Sequence, residues 1–432
     1  MMKILYPKQQ EACDFFVKCQ RSRSNTLDTS VVGTGKTIVA AHIAMRLGRP
    51  VAVICPKAVV TNWERELEAH HITPLFVLNY EKIRTGKTKW VSKVGSKIFK
   101  WNLPVGTIVM IDETHKCKSP YTQNAQLMIS LVQQEYSVHC MSATAAEDPT
   151  EMRALGFALG LHSLNKPEQK LKSWFSWMGT NGCKQDFWKQ WKLLDRAKLK
   201  AVRESLYGVT SSRLTVDDFP DSFRLNRIFV EPIEFRDKKK ISAAYEELGM
   251  TPQVMEYFIE HGTLPKSDHV VVDILRARQL AESFKVPDIV EMAADLIEQQ
   301  NSVVIFVNFR ESALALATAM QCPVVQGGQS AIERQKIIDA FQRDELPVIV
   351  VNIAAGGTGL SLHDVNGVRA RVALISPTFN AKDYMQVLGR IHRNGAKTDA
   401  VQKVLVAAGS IEEAVMKSVT KKVENLKMLH GA

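Results

Sequence analysis

At 432 residues, with 45% hydrophobic and 23% charged side chains, the chain is long enough to bury two or three cores and too evenly mixed for a fibrous or disordered protein. No apolar run reaches membrane-spanning length, the opening MMKILYPKQQ lacks the apolar core of a secretory signal, and the seven cysteines form no C-x-x-C pair. A membrane span and a disulfide framework are therefore not expected, and a reducing cytoplasmic setting is. The net charge of +11 is concentrated: residues 81–101 carry a surplus of +6 and residues 166–213 a surplus of +7, which together account for all of it. A polyanionic partner fits that clustering, although solvated lysines would look the same.

In chain order, a short helix precedes SVVGTGKT at 30–37, and the helical run IVAAHIAMRL follows it. Short apolar runs then alternate with helical stretches, with VAVICP at 51–56 and TIVMID at 107–112 as the clearest strands. The same rhythm returns in SVVIFVNF at 302–309, LPVIVVNI at 346–353 and RVALISP at 371–377. Two α/β lobes with parallel sheets are predicted, their loops gathered at the carboxyl ends of the strands. Between them, LTVDDFPDSFRLNRIFVEP at 214–232 reads as a turn and one strand. The expected organisation is a first lobe over 1–232 with a Trp/Lys-rich helical insertion at about 165–212, a helical bridge over 233–285, and a second lobe over 286–432.

SVVGTGKT fits the phosphate-binding pattern G-x-x-x-x-G-K-[ST], except that Ser30 stands at the first glycine position. Gly33 and Gly35 let the backbone curl around Thr34 so that N–H groups and the next helix's N-terminus face phosphates. In that pattern Lys36 reaches the β- and γ-phosphates of ATP, and Thr37 ligates Mg²⁺. A glycine-rich strand-to-helix turn without a ligand is the alternative. IVMIDETHK places Asp112 and Glu113 at a strand end, about seventy-five residues after Lys36. Adjacent carboxylates there suit a cation at Asp112 and a water-activating base at Glu113, or else a solvated turn. QVLGRIHRNGA carries Arg390 and Arg393, expected three apart on one helical face after the glycine-rich AAGGTGLSL. Such cations could reach a γ-phosphate held by the first lobe.

In order along nearly the whole chain, these segments resemble superfamily 2 helicases, and within them the SWI/SNF-like branch of DNA translocases. LYPKQ, with Gln9, is similar to the adenine-reading glutamine motif and SVVGTGKT to motif I. ICPKAVVTNWERE, with Pro56, Trp63 and Glu66, resembles motif Ia, LNYEKI motif Ib, DETHKCKSP motif II and MSATAAEDPTEM motif III. VVIFVNF resembles motif IV, GGQSAIERQKIIDAF the region after it, VNIAAGGTGLSL motif V, QVLGRIHRNGA motif VI, and GSIEEAVMKSVTKK the tail that follows. Motif III departs from the Gly-Thr-Pro of many branch members, which leaves remodeller-like and fork-regressing or phage recombination relatives both open.

The resemblance implies two RecA-like lobes that clamp ATP and Mg²⁺. Lys36, Asp112, Glu113, Arg390 and Arg393 would be catalytic, and Gln9, Gly33, Thr34, Gly35, Lys36, Thr37 and Gly359 would bind ATP. Thr37 and Asp112 would hold the metal, and His115, Ser142, Thr144 and Gln386 would couple the ATP and nucleic-acid sites. Lys57, Trp63, Lys93, Lys97 and Thr358 would touch nucleic acid. DNA, duplex or branched, is the implied track, with RNA as the alternative and no membrane partner. A bacterial or phage-infected cytoplasm is implied, with a nuclear location left open. The tryptophans at 174, 177, 188 and 191 suit either base stacking or the core of a small helical insertion, the latter being favoured. The basic stretch at 82–100 suits a DNA grip or a surface β-hairpin equally.

Overall fold

The computed structural model describes residues 4–430 apart from 96–97, 169, 188, 221, 248, 252–253, 256–267 and 357–359. It divides into two compact units, Met1–Phe219 with Glu424–Ala432, and Pro220–Val423.

The strands of the first unit are β1 (Thr26–Asp28), β2 (Val51–Cys55), β3 (Phe76–Asn79), β4 (Lys87–Thr88), β5 (Val91–Val94), β6 (Ile98–Trp101), β7 (Ile108–Asp112), β8 (Ser137–Met141), β9 (Cys183–Gln185), β10 (Trp191–Leu193) and β11 (Ser211–Ser212). Six of them form a parallel sheet in the order β11-β1-β8-β7-β2-β3. Strands β2 and β7 are apolar throughout and buried until Asp112, because helices cover both faces of such a sheet. β1 and β8 instead carry buried polar groups, partly satisfied by one another and by Gln20. The Gln20 amide donates to Thr26 Oγ1 and to the Val138 carbonyl, and Thr26 Oγ1 meets His139 Nδ1 at 2.8 Å.

The basic stretch after β3 is a three-stranded antiparallel sheet of β4, β5 and β6. Val91, Phe99 and Trp101 anchor it in the main core, while Lys82, Lys87, Lys89 and Lys100 remain exposed. The Trp/Lys-rich insertion is not wholly helical. It holds helices Trp174–Thr180 and Lys198–Leu206 with the antiparallel pair β9 and β10 between them. Trp174 and Trp177 lie buried in the same core, as the packing alternative expects, and Trp188 lies outside the described residues.

The second unit is a parallel sheet of β12 (Asn226–Phe229), β13 (Ser302–Val307), β14 (Val324–Val325), β15 (Val348–Asn352), β16 (Arg371–Ile375) and β17 (Ala400–Val404), in the order β12-β17-β16-β13-β15-β14. Its three central strands are buried at every residue. The strand read at 214–232 is β12. It pairs with β17, so residues 226–229 belong here and not to a first lobe ending at 232. The stretch read as a bridge is part of this unit as well: helices Lys238–Glu246 and Asp268–Phe284 pack together. Tyr245 and Lys285 both hydrogen-bond Glu412, at 3.2 and 2.5 Å, in the buried start of the last helix, Ile411–His430. Residues 424–430, expected in the second lobe, count with the first unit, where Leu429 joins the core. Among the described residues no helix is long and apolar enough to cross a membrane.

Candidate active site

The phosphate-binding pattern sits between β1 and helix Lys36–Leu47. Gly33 and Gly35 adopt φ of 92° and 91°, a region closed to most side chains, and Gly35 caps the helix. Gln9 is buried beneath the loop. Its Oε1 accepts the Tyr6 N–H at 3.0 Å, closing the N-terminus of helix Pro7–Arg21, and its Nε2 donates to the Thr34 carbonyl at 2.7 Å. A Cβ on Gly35 would stand 2.5 Å from that Nε2. Ser30 has a use that glycine would lack: its Oγ accepts the Leu214 N–H at 2.9 Å.

Lys36 folds its ammonium onto the loop, donating to the Ser30 and Val31 carbonyls at 2.7 and 3.2 Å. Burial pushes its pKa down, and the charges of Asp28, Glu113 and Asp112 pull it back up. Asp28 is itself buried and accepts the Ser30 N–H at 2.8 Å.

Asp112 ends β7 with both oxygens engaged. Oδ1 accepts the Glu113 N–H at 2.9 Å, and Oδ2 accepts the Trp63 indole N–H at 2.9 Å. Burial, then the neighbouring Glu113 charge, raises its pKa to about 6, while Trp63 and Lys36 act the other way. Glu113 follows in the left-handed region at φ 53°, ψ 53°, a strained conformation for a glutamate that turns its side chain off the strand axis. The Tyr80 hydroxyl braces this turn by donating to the Asp112 carbonyl at 2.7 Å. Thr114 is the third residue of DETH. Its Oγ1 donates to the Ile111 carbonyl and accepts the Met141 N–H, which pins β7 to β8.

His115 Nδ1 lies 3.1 Å from both Glu113 Oε2 and Ser142 Oγ, so motifs II and III meet at the glutamate. The Thr144 N–H reaches Ser142 Oγ at 3.3 Å, and Thr144 Oγ1 is buried without a hydrogen-bond partner among the described residues. The Asp112 carboxylate and the Thr37 hydroxyl are hard oxygen donors, and no cluster of three metal-binding side chains exists among the described residues. That donor set fits Mg²⁺, which takes its remaining positions from phosphate oxygens and water.

In the second unit, helix Ala381–Leu388 ends before either arginine, because Gly389 closes it. Arg390 and Arg393 therefore do not share a helical face, as the spacing predicted, but lie in the turn beyond. Arg390 is buried and donates to the Leu360 carbonyl at 3.3 Å. Arg393 donates to the Gly389 carbonyl at 3.2 Å and to Ser361 Oγ at 3.0 Å. Burial and the charge of Arg390 push the Arg393 pKa down. Gln386 is buried in the preceding helix.

The family model described as helicase conserved C-terminal domain matches residues 285–395. A putative ATP-dependent RNA helicase of Acanthamoeba polyphaga mimivirus is 30% identical, over 94% of this chain and 79% of the relative. The chain belongs to the superfamily 2 helicases. An SNF2 domain-containing protein of rice is 21% identical over 96% of this chain and 50% of its own. A RAD54-like DNA repair and recombination protein of Drosophila persimilis is 32% identical over 23% of this chain and 12% of its own. This helicase is a nucleic-acid-dependent ATPase, with two units each built on a parallel sheet.

The first unit of the helicase brings together Gln9, Thr34, Gly35, Lys36, Asp112, Glu113, His115 and Ser142. Trp63 requires a correction. It was expected to touch nucleic acid, but it is fully buried, and its one polar atom is spent on Asp112. Lys57 is exposed just past β2, whereas Lys93 is half-buried with its ammonium 5.7 Å from the Phe99 ring. Lys97, Thr358 and Gly359 lie outside the described residues. Asp28 and Tyr80 were not anticipated. A carboxylate two residues before the loop was the available signal for the first, and the tyrosine of LNYEKI for the second.

Proposed function

We propose that this helicase is a DNA-stimulated ATPase that moves along duplex or branched DNA. What supports the choice of DNA is the resemblance of its motifs to the SWI/SNF-like branch, with the local likeness to the RAD54-like DNA repair and recombination protein. The exposed lysines of the β4–β6 sheet suit a phosphate backbone, with Lys57 and, less freely, Lys93 as further contacts.

Backbone N–H groups of Gly33, Thr34 and Gly35 cradle the phosphates of ATP, Lys36 neutralises them, and Gln9 reads the adenine. Thr37 and Asp112 would hold Mg²⁺, which when bound offsets charge on the β- and γ-phosphates. Glu113 orients the attacking water and takes its proton. His115 and Ser142 contact Glu113 and, with Thr144 and Gln386, relay the nucleic-acid state to it. Arg390 and Arg393 supply positive charge to the transferring phosphoryl group.

ATP turnover measured with duplex, forked and single-stranded DNA and with RNA tests this reading. Duplex or forked DNA should stimulate at least about tenfold more than RNA. Stimulation by RNA alone would favour the RNA-directed activity that the mimivirus relative's name carries. Lys36→Ala should abolish turnover, and Glu113→Gln should hold ATP without hydrolysing it.

A further inference from the structure

Beside β11, within the first unit, lies a cavity of about 300 Å³ lined by Arg203, Tyr207, Ser211, Ser212, Arg213 and His430. It has no part in the site described above, yet its polar groups are arranged for a ligand. Among the described residues, neither Arg203 nor Arg213 forms a carboxylate ion pair. Arg213 instead donates to two carbonyls, Thr29 at 2.6 Å and Ala143 at 3.4 Å, and its Nε is buried without a partner. Ser211 Oγ on the same wall is also buried and unpartnered. Chiefly burial, and then the charge of Arg203, push Arg213 down, against the opposing pull of Tyr207 and Asp28. A guanidinium that burial desolvates and no carboxylate ion pair compensates, facing a concave wall shared with a second arginine, favours an anion in the cavity. Planar guanidinium groups and hydroxyl donors suit the tetrahedral oxygens of a phosphate.

We propose that this cavity binds a phosphate group, separate from the nucleotide of the phosphate loop. Its volume holds one or two phosphates with a small organic moiety. Arg203 is the exposed, capturing residue and Arg213 the half-buried one. The site also has a physical connection to the engine: Arg213 holds the Thr29 carbonyl, and the Tyr207 hydroxyl bonds both Thr29 Oγ1 at 2.7 Å and His430 Nδ1 at 2.9 Å. Thr29 immediately precedes the loop.

The test uses the full chain saturated with ADP and Mg²⁺, so that the phosphate loop is filled, and equilibrium dialysis against radiolabelled pyrophosphate. One additional site per chain is expected. Arg203→Glu should weaken it at least about tenfold while leaving ADP affinity unchanged, and Arg203→Lys should retain it within a few-fold. A short DNA duplex added as competitor separates the sources: displacement assigns the phosphate to a nucleic-acid backbone, and persistence assigns it to a free small molecule. Absence of a second site, or binding indifferent to Arg203→Glu, overturns the proposal. Because the readout is binding to ADP-loaded protein, it stands whether or not DNA stimulates turnover.

Discussion

The indole N–H of Trp63 lies 2.9 Å from Asp112 Oδ2, joining a fully buried tryptophan to the carboxylate proposed to hold Mg²⁺. Asp112 must be ionised for that task, and its pKa of about 6 already stands close to neutrality. Trp63→Phe removes a donor that favours the ionised form, so the Asp112 pKa rises and its charged fraction near pH 7 falls. A hydrogen bond to a charged group is worth about 1.5–3 kcal/mol, or roughly 1–2 pKa units, so turnover at limiting Mg²⁺ should drop by roughly 2- to 15-fold at pH 7. The loss should shrink toward pH 8.5. A pH-independent loss would reduce Trp63 to a packing residue.

Gly35→Ala should damage nucleotide binding far more than stability. The new methyl group would meet Gln9 Nε2 at 2.5 Å and would have to keep a φ of +91°. The loop must distort, at a cost of about 1–3 kcal/mol, and ATP affinity should fall about tenfold or more while the thermal midpoint moves by a few degrees. Equilibrium binding of ATP and a melting curve on the same sample decide it.

Arg393→Ala should lower kcat by about 10³-fold with little change in ATP affinity, since its charge would act on a transition state and not on bound ATP. Arg393→Lys should not restore it, because an ammonium lacks the planar fork that reaches Ser361 and the Gly389 carbonyl at once. The defect should persist at saturating DNA. Recovery there would make Arg393 a nucleic-acid contact and leave Arg390 as the candidate.

His139 predicts a pH signature in stability. Burial lowers its pKa from the ordinary 6.5 to about 3. Between those values the unfolded chain binds the extra proton, so the imidazole's contribution is complete above pH 6.5 and is lost as pH falls toward 3. The slope is about 1.4 kcal/mol per pH unit. Asp112 and Asp148, both raised to about 6, act in the opposite sense. The quantity to measure is therefore the difference between wild type and His139→Gln in urea unfolding from pH 7 to pH 4. A difference that stays constant over that range would contradict the buried neutral imidazole.

The two parallel sheets were legible because buried strands such as 51–55 and 302–307 are continuous apolar runs, and the residues proposed to serve ATP because SVVGTGKT and IVMIDETHK are local patterns. Trp63 was misread for a physical reason: its motif gives its position along the helix Val60–Ala69 but not which way that helix faces. Arg390 and Arg393 obey helical spacing, yet Gly389 stops the helix one residue before the first of them. The pairing of 226–229 with 400–404 joins segments far apart in sequence, and nothing local in either announces the other. The arginine cavity was hidden in a stretch legible only as surplus charge. Its two arginines become neighbours only when the helix Lys198–Leu206 folds back before β11.

Movement along duplex DNA is the central claim, and displacement of a third strand measures it most directly. A fluorescent triplex-forming oligonucleotide placed at one end of a duplex should be released by the helicase in the presence of ATP and Mg²⁺. The rate should fall to background with Glu113→Gln. ATP turnover stimulated by that duplex without release of the third strand would contradict a translocating motor.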